Sequence, residues 1–279
     1  MTLSARLAPA QVLLTCSALL FTGDILKVYI DNNTVNFVEK KPLDLKGFSL
    51  IEGFPGMGLV GTISAKYLAE KLNFEEMGYI ESNMFLPIIR VHDGLPIHPS
   101  RIYVDEKRKL VILLSEQIIP QFFIEKLSKA IVEWIERKKI SRIISLSGIR
   151  AMPEKAGKEI IYGIASDDAS KETLKENNVE IIKEGITSGL NALILLELKD
   201  KNIDAFSLLG NVEIAADYKA SAMLIEKLCQ ILGVEIDTKP LLKEAKETEK
   251  ALLEHLEQVK QTGEEVQKLE DDQTPSMYG

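Results

Sequence analysis

Residues 48–72 constrain the fold of this chain more than any other stretch. Phe48–Glu52 is a short apolar run of the kind that forms a buried strand, and Gly53, Gly56, Gly58 and Gly61 follow it closely. From Leu59 to Leu72 the apolar residues recur at helical spacing. A strand, a glycine turn and a helix in this order predict an α/β domain, with its most crowded backbone at the carboxyl end of a central strand.

Two interpretations of the glycine turn are open. The glycines of Gly56–Gly61 have the G-x-G-x-x-G spacing that lets a backbone approach a pyrophosphate, and Glu81 stands about 20 residues on, where a ribose ligand would be needed. In the other interpretation the glycines let a helix pack closely on a sheet, with one or two at positive φ. Pro55 and Met57 make the turn bulky for a phosphate site.

Strand and helix patterns alternate along the rest of the chain. The predicted strands are Asp24–Asp31, Thr34–Glu39, Met77–Ile80, Pro87–Val91, Arg101–Asp105, Lys109–Ser115, Arg142–Ile149, Glu159–Ser166, Val179–Lys183 and Phe206–Leu209. The predicted helices begin at Pro120, Ser170, Leu190 (after the second glycine turn, Gly185 to Gly189) and Asp217, the last ending at Gly233. Residues 92–101 are predicted to form a proline-rich loop. The alternation predicts a largely parallel central sheet covered by helices.

The two ends of the chain differ from this α/β domain, which we place at residues 25–236. Residues 237–270 carry a narrow apolar seam among Glu and Lys and predict a charged helical appendage. Residues 271–279 are predicted to be a flexible, disordered tail. Residues 1–24 contain the apolar run Val12–Phe21, which is too short to span a membrane comfortably. They are interpreted either as a dispensable extension from a misassigned start or as an export signal.

Charge and cysteine content exclude several classes of function. The net charge of −8 and the pI near 5.2 argue against a nucleic-acid-binding surface. Cys16 and Cys229 form neither a disulfide framework nor a metal-ligand spacing, so we expect a reducing, cytoplasmic location. Cys229 lies on an apolar helix, where a buried, inert thiol is expected.

Candidate catalytic residues are few. His92, Asp93 and His98 share one loop, but their spacing matches no strong metal-ligand pattern, and His255 lies on the charged helix. The acidic pairs Asp167-Asp168 and Asp271-Asp272 fall in a predicted loop and in the tail. No nucleophile, base and orienting partner can be assembled, so we expect no enzymatic activity, no metal and no cofactor.

The segment EGFPGMGLVGTISAKYLAEKL at 52–72 resembles the signature of the proteasome assembly chaperone family, in its archaeal homologues of assembly chaperone two. The resemblance continues in IHPSRIYV at 97–104, Ser115-Glu116-Gln117, Ile144–Gly148 and GITSGLNAL at 185–193. It covers about residues 25–235. It implies a phosphorylase-like fold without the catalytic machinery, glycine turns that are structural, and a homo-oligomer, with a tetramer as the expected form.

The last three residues, Met277-Tyr278-Gly279, fit the hydrophobic–tyrosine–any motif by which proteasome activators and some assembly factors dock onto the α-ring. Within the resemblance they are the expected partner-binding residues. The sequence therefore predicts an ATP-independent 20S proteasome assembly chaperone that binds neither nucleic acid nor membranes. Two alternatives remain open: a nucleoside- or nucleotide-binding enzyme that uses the turn at 53–61, and an oligomeric scaffold with another client.

Overall fold

The computed structural model describes residues 27–30, 35–150 and 160–243. The predicted extension at 1–24, most of the appendage and the tail at 271–279 lie outside the described residues. The strands are, in chain order, β1 Lys27–Ile30, β2 Val35–Glu39, β3 Ser49–Gly53, β4 Glu75–Ser82, β5 Arg90–His92, β6 Leu95–Ile97, β7 Ser100–Asp105, β8 Leu110–Ser115, β9 Arg142–Ile149, β10 Ile161–Ala165, β11 Glu180–Ile181 and β12 Asp204–Asn211. The helices are α1 Val60–Lys71, α2 Ile124–Lys138, α3 Asp168–Glu176, α4 Leu190–Leu198 and α5 Tyr218–Leu232.

Ten of these strands form one sheet in the order β1-β2-β4-β7-β8-β3-β9-β12-β10-β11. Its centre, β8-β3-β9-β12, is parallel, as predicted for strands that are buried on both faces. Antiparallel pairs extend the centre through β7, β4, β2 and β1 on one side and through β10 on the other. The predicted α/β fold with a largely parallel central sheet covered by helices is confirmed.

Helices cover both faces of this sheet. One apolar core contains side chains of α2 and α4, including the fully buried Trp134, which stacks on Phe37 of β2. The other core contains side chains of α1, α3 and α5. Each helix buries one apolar side, and most of its stability comes from this packing.

The helix ends follow from local sequence signals. The carboxylate of Asp167 accepts a hydrogen bond from the Ser170 amide, and that of Asp217 accepts one from the Ala220 amide, so both residues act as N-caps. At the other end of α5, Gly233 adopts the left-handed conformation (φ 65°) predicted for a C-cap. The pair Asp167-Asp168 is therefore a helix start.

Two local predictions were wrong. The strand predicted at Pro87–Val91 starts only at Arg90, as β5, and the loop predicted at 92–101 contains β6 and the first residues of β7. Strands β5 and β6 form a small separate hairpin through Asp93 and Gly94, both of which have positive φ. Glycine supplies that conformation without strain, which is why an apparent loop folds back as a hairpin.

Candidate functional site

The carboxyl ends of β8, β3, β9 and β12 meet at one edge of the sheet, which we call the carboxyl edge. The predicted glycine turn leaves β3 at this edge and leads through a short 3₁₀ turn, Met57–Leu59, into α1. Ligands of open α/β sheets commonly bind at such an edge. Its geometry therefore decides between the two interpretations of the turn.

Gly53 and Gly61 bring α1 into close contact with the sheet. A Cβ atom added to Gly61 would lie 2.2 Å from the Leu146 carbonyl oxygen of β9. One added to Gly53 would lie 2.3 Å from the Cβ of Ala65 and 2.5 Å from the Gly61 carbonyl oxygen. Neither position has room for a methyl group, so both residues serve helix-on-sheet packing.

The other two glycines of the turn also contact protein atoms. Gly58 has φ +65°, and an added Cβ would lie 2.6 Å from the Val212 side chain. At Gly56 the nearest atom to an added Cβ is the Ser147 hydroxyl oxygen, at 3.1 Å. The approach that these glycines permit is to the neighbouring strand ends, which supports the packing interpretation over a phosphate cradle.

Glu81 does not occupy the position that a dinucleotide site requires. It lies in β4, which β7 and β8 separate from β3, and its carboxylate accepts a hydrogen bond from the Asn36 side chain of β2 at 3.3 Å. A ribose-binding carboxylate belongs on the strand beside the glycine turn. The spacing of about 20 residues between the glycine turn and Glu81 therefore does not indicate a dinucleotide site.

The second glycine turn needs glycine at one position. Gly189 has φ +96° and precedes the first residue of α4. Gly185 has no positive φ, and an added Cβ would make an ordinary contact of 3.6 Å with Ile182. The structure thus gives a physical reason for glycine at 189 and none at 185.

A row of buried polar side chains crosses the centre of the sheet. Glu52 of β3 is in register with Ser145 of β9, which is in register with Ser207 of β12, and all three are at most 1% exposed. Burial raises the pKa of Glu52 to about 8. Two neighbours oppose this rise: the Phe54 amide, which donates a hydrogen bond to the carboxylate, and the Ser145 hydroxyl, which lies close by without normal hydrogen-bond geometry. Within the described residues, one Glu52 oxygen and both hydroxyls have no hydrogen-bond partner.

An ion cluster lies just beyond the end of β8. The Glu116 carboxylate pairs with Arg90 of the small hairpin and Arg101 of β7, and the Lys66 ammonium of α1 lies 3.4 Å away. The hydroxyls of Ser100 and Ser115 are 3.0 Å apart. This cluster ties four elements together at the carboxyl edge.

Sequence reasoning missed the roles of Glu52, Arg90 and Arg101. A charged residue inside a predicted buried strand was the available signal for Glu52, whereas the arginines are 26 and 15 residues from Glu116. Ser115-Glu116-Gln117 did enter through the resemblance, without any expectation of its contacts.

His92 and His98, the two histidines among the described residues, do not converge on a metal site. His92 Nε2 lies 3.7 Å from an Asp93 carboxylate oxygen, and His98 instead stacks on Tyr79 with ring centroids 3.6 Å apart. No group of three metal-ligating side chains occurs within residues 27–30, 35–150 and 160–243. Cys229 is buried as predicted, and burial raises its pKa to about 11, so its thiolate form is scarce at neutral pH.

Other predicted residues fall elsewhere. Met277, Tyr278, Gly279, His255, Cys16 and Asp271-Asp272 lie outside the described residues. In the part of the chain that the structure describes, every helix is too short or too polar to cross a bilayer.

The chain leaves α5 at the opposite, amino edge of the sheet. Residues 231–235 line a cavity of about 530 Å³ there, together with the first residues of β3, β8 and β9.

The fold and this edge define a class of α/β proteins in which a glycine turn packs a helix onto a doubly covered sheet. The chain belongs to the PAC2 family, whose model matches residues 50–256. An uncharacterized protein of Methanocaldococcus jannaschii is 35% identical over 228 residues, which cover 81% of this chain and 92% of that protein.

Solved structures agree with this assignment. Pyrococcus furiosus PbaA, described as an archaeal homolog of proteasome-assembly chaperone, has a TM-score of 0.71 at 28% identity and covers 82% of this chain and 99% of its own. The fold is also that of P. furiosus PbaB, described as an archaeal proteasome activator (TM-score 0.68, 24% identity, 80% of this chain and 98% of that chain).

Proposed function

We propose that this protein is an ATP-independent, non-enzymatic assembly chaperone of the 20S proteasome that acts in the cytoplasm. It docks onto the α-ring through Met277-Tyr278-Gly279. Membership of the PAC2 family and the likeness to PbaA support a proteasome-related role. The observation that carries the proposal is the coincidence of this fold with a hydrophobic-Tyr-Gly terminus on the same chain.

The chemistry of the three residues suits a pocket between neighbouring α subunits. The Met277 side chain would fill an apolar slot, and Tyr278 would add a rigid ring with a polar tip. The terminal carboxylate of Gly279 would pair with a lysine of the pocket. Residues 271–279 span at most roughly 30 Å when extended, which gives the docking residues freedom to find the pocket.

One such tail binds weakly because its ordering entropy must be offset. We therefore infer that the protein acts as a homo-oligomer, for which the family resemblance implies a tetramer. Several tails on one body raise avidity by roughly 10²–10⁴ when their spacing allows simultaneous docking. Binding should then depend on both the terminal residues and the number of copies.

Deleting Met277–Gly279 is expected to abolish co-purification of α subunits, because the deletion removes the anchoring side chains and moves the terminal carboxylate. The measurement is a pull-down of recombinant α subunits from the same organism, with bound mass identified. Thr274→Ala in the same tail is the matched control and should retain binding. Undiminished binding by the truncated chain would remove the tail from the mechanism.

Titration with ATP, NAD or nucleosides is expected to give no binding heat at micromolar protein, because the turn glycines contact the sheet and Val212. Isothermal calorimetry on the full chain measures this directly. Saturable micromolar binding of any of these compounds would instead favour the nucleotide-dependent alternative.

A further inference from the structure

Seven large apolar side chains are exposed near one end of the carboxyl edge. They belong to the small hairpin with its preceding loop and to the segment after β8, and their exposed fractions run from 46% to 71%. We call them the apolar surface: Leu86, Ile88, Ile89, Val91, Leu95, Ile118 and Phe122.

Three contacts hold the two segments of the apolar surface side by side. Arg90 of the hairpin pairs with Glu116. The Glu116 amide donates a hydrogen bond to the Pro99 carbonyl at 2.8 Å. The rings of Phe85 and Phe123 meet edge to face, with centroids 5.4 Å apart. The segments therefore present their apolar side chains together.

The extent of the apolar surface matches a protein–protein interface. Taking about 200 Å² for a fully exposed large apolar residue, the seven exposed fractions amount to roughly 850 Å². A standard interface buries about 800 Å² on each partner, whereas the largest apolar patch of a typical monomer measures about 300–600 Å². This area is enough for one stable contact.

The local charges favour an uncharged contact, which suits a second copy of this chain. Arg90, Arg101 and Lys66 are balanced in part by Glu116 and Asp93, so the region is close to neutral. Two copies can meet at this surface without bringing excess charge of one sign together. A near-neutral apolar surface also offers little attraction to a highly charged partner. We propose that the apolar surface is the interface through which a second copy of this chain binds.

The small hairpin supports this assignment. Its two strands have three residues each and pair only with one another among the described elements. A two-stranded hairpin of this length is marginally stable in water without an apolar cover. Burial of Val91 and Leu95 against a second copy would supply that cover.

This inference deepens the proposed function, which rests on several tails acting together. The apolar surface lies at the carboxyl edge, whereas residues 231–235 leave the domain at the amino edge. Copies can thus be joined without covering the point from which the C-terminal segment departs. Self-association and α-ring binding are separate measurements, so failure of one does not imply failure of the other.

Ile89→Glu and Phe122→Glu each place a charge in the interface and are expected to weaken self-association at least 100-fold. Light scattering after size exclusion, across a micromolar concentration series, measures the mass of each species. Leu196→Glu on α4 is the matched control: its leucine is 66% exposed, compared with 67% and 71%, and lies outside the apolar surface. The control should keep the wild-type mass.

Hydrogen exchange of the unsubstituted full chain gives a second test. Amides of residues 86–97 should gain protection as protein concentration rises. The proposal is overturned if the wild-type chain is monomeric throughout the series. It is equally overturned if both variants, still folded by circular dichroism, keep the oligomer mass, or if the protection of 86–97 is independent of concentration.

Discussion

Replacing Glu52 with glutamine is expected to stabilise the protein at pH 8 by up to about 4 kcal/mol and to have little effect near pH 4.5. The pKa of Glu52 is raised by burial from 4.5 to about 8 in the folded protein. Between these values the unfolded chain has released the proton and the folded chain keeps it. The folded state therefore binds more protons, and its stability falls as the pH rises through this window. Glutamine removes the titration, and its amide can donate to the neighbouring Ser145 hydroxyl.

Urea unfolding at pH 5 and pH 8 measures this effect as the difference between variant and wild type. Taking the difference cancels the contributions of the other titrating groups to the free energy of unfolding. One of these groups is Asp105, whose pKa is lowered in the folded protein. Glu133→Gln, at an exposed position on α2, is the control and should change stability equally little at both pH values. An identical Glu52→Gln effect at pH 5 and pH 8 would contradict the assignment of a neutral, buried carboxyl.

Gly61→Ala is expected to destabilise the domain by about 3 kcal/mol, although alanine is the better helix former. The new methyl group would lie 2.2 Å from the Leu146 carbonyl oxygen and 3.0 Å from that of Phe54. Both are backbone atoms that cannot rotate away, so α1 must move off β9 and lose packing along its length. Thermal unfolding should show the melting temperature lowered by roughly 10 °C.

Gly185→Ala is the matched comparison for this prediction. It adds the same methyl group where the nearest contact is an ordinary 3.6 Å, and we expect a change within about 0.5 kcal/mol. If Gly61→Ala melted at the wild-type temperature, the glycine turn would have space for a methyl group at position 61. The phosphate-binding interpretation would then regain support.

Local patterns predicted the central elements of the fold well. The apolar run at Arg142–Ile149 is strand β9 with those bounds, and α4 begins at Leu190 as predicted. The strand was predicted correctly because burial on both faces leaves a continuous apolar run, and the start of the helix was marked by the second glycine turn before it. The hairpin β5-β6 has strands of only three residues, with Gly94 in the turn and Pro96 in β6, and such a sequence resembles a loop.

Tertiary contacts bring together the residues of the ion cluster and of the buried polar row, and no local sequence pattern predicts such contacts. Arg101 reaches Glu116 because β7 and β8 are antiparallel neighbours, and Lys66 reaches it from α1. The polar row depends on the register of Glu52 with Ser145, which belong to strands nearly a hundred residues apart. The terminal motif was identified through the family resemblance, and its docking role stays a proposal.

The hydrogen bond from the Tyr67 hydroxyl to the Asp237 carbonyl, at 2.6 Å, fastens the outgoing chain to α1. Leu241, four residues further on, is the last described residue whose side chain belongs to an apolar core. Under the proposed function, this anchor separates the packed body from the docking residues, which lie further along the chain. Grafting a different docking peptide in place of the native terminus would redirect the same body to a new target.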